Sequence, residues 1–65
     1  MTFTQARTLT VGDCITDAAQ PGYTGTILAI RRGVWTIGWE PDDDPEGGWI
    51  EERPMGVCSK LEVLK

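Results

Sequence analysis

The chain has no histidine, only two cysteines, and no long apolar run. Without histidine it lacks the side chain that titrates most readily near neutral pH, and any zinc site with an imidazole ligand is excluded. Cys14 and Cys58 show no CxxC spacing, and two thiols cannot complete a four-thiolate site. They read as reduced, partly buried thiols in an intracellular protein, with a single Cys14–Cys58 disulfide as the alternative. No stretch approaches the roughly 20 apolar residues that span a bilayer. The opening residues MTFTQARTLT have no apolar core of a secretion signal. The expectation is a soluble, cytoplasmic protein with no membrane partner. At 65 residues the chain makes one domain, 1–65, of marginal stability.

What is present is the punctuation of a β protein. Eight glycines and four prolines separate short apolar runs, and no window keeps a helical period over ten residues. Residues 1–8 read as a flexible arm or an extra strand. Val11-Gly12-Asp13 is a turn, and a strand follows over Cys14 to Asp17. Tyr23 to Ile30 is rich in β-branched residues. Arg31-Arg32-Gly33 fits a tight hairpin, with Gly33 at positive φ. In Val34 to Glu40, Trp35, Ile37 and Trp39 alternate with Val34, Thr36 and Gly38, so the first three share one face. Residues 41–48 form a loop, Trp49 to Arg53 a fourth strand ended by Pro54, Ser59 to Leu61 a helical turn, and Glu62 to Leu64 a last strand pairing near the start. The expected core is Trp35, Ile37 and Trp39 with Ile15, Ile27, Ile30, Val57, Leu61 and Val63. Five short antiparallel strands bury one face and protect their edges best by curling into a barrel.

The segments LTVGDCI, GTILAI, VWTIGWE and LEVL, spanning about residues 9–64, resemble the small Src-homology-3-like barrels of the Tudor and KOW type. Such barrels often show a Val-Gly-Asp turn, a strand opening with Gly, an aromatic–aliphatic–aromatic strand ending in Trp and an acid, and a closing Leu-x-Val. The resemblance implies an all-β, five-stranded antiparallel Src-homology-3-like barrel. It implies no function, because this scaffold hosts many. Tudor domains that read methylated side chains use solvent-facing aromatics, whereas the alternation here buries Trp35 and Trp39. KOW domains that bind RNA tend to be basic, and this chain carries a net charge of −4. A plasmid-type dihydrofolate reductase shares the barrel, but its Val-Gln-Ile-Tyr strand has no counterpart.

The acids are concentrated. Residues 40–53 hold Glu40, Asp42, Asp43, Asp44, Glu46, Glu51 and Glu52 against Arg53 alone, for a net −6, while the segments on either side are close to neutral. Such density disfavours direct nucleic-acid binding and favours a protein with a basic surface. Three readings compete. In the first, the loop is a solvated face that blunts an edge strand. Asp42, Asp44 and Glu46 with Gly47 match positions 1, 3, 5 and 6 of a calcium loop, but position 12 is Arg53 where a bidentate Glu is needed. Or the carboxylates form a contact surface, with Trp49 as an apolar anchor or as a partly covered barrel residue.

No enzymatic reading gains support. The carboxylates sit in an exposed segment where pKa tuning is hard. Gly47-Gly48 lacks the Lys-Ser/Thr of a phosphate loop, and so small a barrel offers little room for a ligand pocket. No cofactor, metal or catalytic residue is expected. The expected partner-binding residues are Glu40, Asp42, Asp43, Asp44, Glu46, Trp49, Glu51 and Glu52. Tiny acidic barrels of this kind are similar in size and charge to phage and mobile-element inhibitors, including anti-CRISPR and anti-restriction DNA mimics. The alternative is an adaptor that packs on a larger complex through its edge and Trp49.

Overall fold

In a computed structural model, residues 1–44 and 46–64 are described; Pro45 of the acidic loop and Lys65 lie outside them. Strands β1 (Cys14–Asp17), β2 (Tyr23–Arg31), β3 (Val34–Pro41), β4 (Trp49–Pro54) and β5 (Leu61–Leu64) form one antiparallel sheet in the order β4-β3-β2-β1-β5. This is the all-β, five-stranded antiparallel fold the sequence implies, and the last strand returns to pair with the first. The ladder does not close: β4 and β5 are both edges.

Period-two burial builds the core. Ile15, Ile27, Trp35, Ile37, Trp39 and Leu61 are fully buried, and Ile30 and Val63 pack against them half-buried. Val57, expected inside, is 61% exposed. The turn after β4, closed by Val57 N–H donating to the Pro54 carbonyl (2.9 Å), leaves its side chain outside the sheet's alternation. Cys58 is buried in its place, and both cysteines are free thiols.

Residues 1–8 form no extra strand. Phe3–Ala6 forms one helical turn, α1, with a capping box. Gln5 N–H donates to Thr2 Oγ1 (3.2 Å), and Thr2 N–H donates to Gln5 Oε1 (3.1 Å). This turn brings Ala6, and the following Leu9, into the core.

The β2–β3 hairpin turns on Arg32 (φ 50°) and Gly33 (φ 75°), with Arg31 paired to Val34. Two successive positive φ values match the right-handed twist of the strands. A bulge follows, since Ile27 pairs with Ile37 but Ala29 pairs with Thr36, leaving Leu28 as the extra residue. Ile27 and Ile30, three apart, can therefore both face inward.

Trp39 organises one end of the core. Its ring lies over Gly25, where an added Cβ would stand 2.9 Å from Trp39 Cζ3 and 2.8 Å from Ile37 Cγ2. Its indole N–H donates to Glu51 Oε1 (2.7 Å), and the Arg53 guanidinium sits 5.7 Å from the ring centroid. Arg53 Nη2 also reaches Asp17 Oδ2 at 3.0 Å and Glu51 Oε1 at 3.1 Å. Asp17 is on β1 and Arg53 on β4, so this pair spans the open side of the sheet. Burial pushes the Asp17 carboxyl upward, but the Ala19 N–H and Arg53 outweigh it and hold the pKa below its ordinary 3.8.

Trp35 is as buried as Trp39, yet its indole N–H finds no acceptor among the described residues. The two tryptophans should thus respond differently to the same change. Truncation of either to Ala should cost about 3–5 kcal/mol, as for other large core residues. Trp39→Phe should be clearly more destabilising than Trp35→Phe, because only the first strips a partner from Glu51. Denaturant melts of the four variants check this, and equal losses for the two Phe variants would contradict it.

The ion pair contributes to the acid limb of stability. A lowered folded-state pKa contributes stability that is present above about pH 4 and fades as pH falls through the folded value. Asp17→Asn should flatten that acid limb. At neutral pH it should cost about 3 kcal/mol, the low end for breaking a buried pair, because Arg53 keeps Glu51. Thermal melts from neutral pH downward measure both effects.

Candidate functional site

The seven acids among the eight residues singled out in the sequence divide into two groups. Glu51 faces inward, opposite Ile37, and its carboxylate is engaged by the Trp39 indole and Arg53. It is a structural acid. The other acids, Glu40, Asp42, Asp43, Asp44, Glu46 and Glu52, are exposed and form no ion pair among the described residues.

Local geometry explains how the loop presents them. Asp42 N–H donates to the Gly22 carbonyl (2.9 Å), and its Oδ1 accepts from Thr24 Oγ1 (2.7 Å), which extends the β2–β3 pairing one residue beyond β3. Asp44 Oδ1 accepts the Glu46 N–H (3.1 Å), and the Asp44 carbonyl accepts the Gly47 N–H (3.2 Å). Gly48 passes so close to the Trp39 carbonyl that a Cβ would collide with it. The chain can enter β4 along this path only with glycine there. Asp42 thus bonds towards β2 while Asp44 folds back on its own turn. Among the described residues, no group of three His, Cys, Asp or Glu side chains is placed to hold a metal ion.

Trp49 is a partly covered residue at the start of β4. It is 39% exposed, and its ring stands edge-on to Tyr23, centroids 5.0 Å apart at 67°. Beside it, and absent from the sequence reading, Ile50 is 69% exposed and Leu28 46%. The register shows why. Leu64, Cys14, Thr26, Gly38 and Ile50 are successive partners across all five strands, so they form one row on the outer face. Leu28, released by the bulge, leans over Gly38, where an added Cβ would lie 3.1 Å from Leu28 Cδ1. Thr26, Leu28, Gly38, Glu40, Glu46 and Ile50 line one open groove together with Trp49. Acids and apolar side chains therefore share a surface. Alternation predicts the outward direction of Ile50; the bulge that adds Leu28 has no signal in a two-residue period.

The surface is more indented than the size of the chain suggests. An open groove of about 680 Å³ runs between α1 and β5 and is lined by Met1, Gln5, Leu9, Asp13, Leu61 and Val63 among others. The Asp13 carboxylate there is already used, its Oδ2 accepting the Thr10 N–H at 2.8 Å. A second cleft separates Glu51–Pro54 of β4 from Asp17, Ala19, Val57 and Lys60 across the open side of the sheet. No helix among the described residues is long and apolar enough to cross a membrane. No protein-family model, curated protein or solved structure matches this chain.

Proposed function

We propose that the protein is a non-enzymatic binding module whose acidic segment, residues 40–53 without Glu51, docks on a basic surface of a partner protein. One observation carries this reading: six carboxylates within thirteen residues stand exposed without a cation, beside the exposed apolar side chains of Leu28, Trp49 and Ile50. A merely solvated loop needs no apolar neighbours. Charges draw a partner in and orient it, and a desolvated apolar contact supplies most of the residence time. At its finest, the proposal is an antagonist of a nucleic-acid-handling complex, with carboxylates taking the places of phosphates in a basic groove, as a phage-encoded inhibitor would. Such a protein binds the machine and leaves the nucleic acid itself alone.

Replacing Asp42, Asp43 and Asp44 with Asn and Glu46 with Gln should leave the melting temperature unchanged or slightly raised, since like charges are removed from an exposed loop. Association with the partner, recovered by pull-down from the native host, should slow, and wild-type affinity should fall steeply with added salt. Glu51→Gln should behave in the opposite way, lowering stability without a selective effect on association. Affinity at two salt concentrations for each variant decides it. Salt-independent binding that ignores the loop substitutions would return residues 40–48 to a solvated face.

A further inference from the structure

Strand β4 is an edge, and its hydrogen-bonding pattern can be worked out. In an antiparallel sheet each residue directs both its N–H and its C=O to the same neighbouring strand, and successive residues alternate sides. The two-residue turn at Arg32-Gly33 makes Arg31 and Val34 a hydrogen-bonded pair, so Val34, Thr36 and Gly38 address β2. Trp35, Ile37 and Trp39 then address β4, where their partners are Arg53, Glu51 and Trp49. The Met55 N–H donating to the Gly33 carbonyl at 2.8 Å keeps the same parity. Ile50, Glu52 and Pro54 are left pointing away from the sheet. Pro54 has no N–H, and its carbonyl accepts from Val57. The open edge therefore consists of two residues, Ile50 and Glu52, each offering one donor and one acceptor.

We infer that this edge accepts an extended segment of the partner as a sixth strand, with a basic residue opposite Glu52 and an apolar residue opposite Ile50. The inference rests on the proposed docking to a basic partner and specifies how that partner is read. Main-chain bonds supply affinity in strand addition, and alternate side chains supply selectivity. Ile50 and Glu52 lie on the same outer face, so the two recognised residues are two apart. An antiparallel segment meets Glu52 first, which gives the order basic, any, apolar. The cleft beyond Glu52 has exposed, apolar Val57 on its far wall together with Lys60, which forms no ion pair with Glu52. Charge complementarity selects the occupant, since Glu52 has no cation among the described residues. A second copy fits less well, because the antiparallel register that uses both open residues sets Glu51 against Glu51.

The probe is a capped octapeptide of threonine carrying an arginine and, two residues later, a valine. Titration into the full chain, followed by amide NMR, should slow hydrogen exchange at Ile50 and Glu52. N-methylation of the arginine and valine backbone nitrogens leaves the charge intact and should weaken binding about tenfold or more through the lost main-chain bonds. Exchanging the arginine for glutamate should abolish binding. If the methylated peptide binds equally well, strand addition is overturned while acidic docking stands. If the arginine and glutamate peptides bind alike, the charge reading falls with it. If the free protein is a dimer with Ile50 and Glu52 already protected, the edge is occupied by a second copy and the inference is overturned.

Discussion

The indole of Trp39 is where the fold is tied together. One face of the ring needs a strand with no side chain, and β2 supplies Gly25; the N–H needs an acceptor, and β4 supplies Glu51. Arg53 sits over the same ring and reaches across to Asp17 on β1. Three strands are thus fixed by contacts to one side chain and its immediate cation. Backbone pairing leaves the ladder open between β4 and β5. The Asp17–Arg53 bridge does part of the work that a β4–β5 ladder would do in a closed barrel, and it does so at low exposure, where salt screens it weakly.

The acids of this chain consequently serve two separate ends. Asp17 and Glu51 are spent on Arg53 inside the seam. Glu40, Asp42 to Asp44, Glu46 and Glu52 are left to solvent, and their mutual repulsion is tolerated because most of them lie in a loop whose backbone is held by its own hydrogen bonds. The net charge of −4 hides this division. A surface that combines uncompensated charge with exposed Ile50 and Leu28 is poorly explained by solubility alone, since large exposed apolar side chains work against it.

Much of the fold is legible in the sequence because a two-residue period is a strong signal. Trp35, Ile37 and Trp39 declare their face, the turns at Gly12 and Gly33 declare their positions, and the return of the last strand to the first follows from the need to cover an edge. The misses have separate physical causes. Thr2 and Gln5 do carry a capping-box spacing, but a single helical turn has no periodicity to reinforce it. Asp17 and Glu51 look like surface acids until the register places both on the inner face with Arg53. Val57 follows a turn that takes it out of the alternation. Composition reveals that 40–53 is acidic, but only pairing shows that Glu51 faces inward beside Trp39 and Arg53 and that Ile50 stands beside the free acids.

The bulge at Leu28 leaves β2 with nine residues against eight in β3. The two strands of this hairpin therefore differ in their tolerance of length change. Losing one residue at the bulge would restore regular pairing and keep Ile27 and Ile30 on the core side, whereas losing one from the middle of β3 would turn half its tryptophan-bearing face outward. Insertions and deletions in a lineage of such chains should accordingly gather on β2 and avoid β3, so the mark left by this fold on its descendants is one of parity, more durable than any particular side chain.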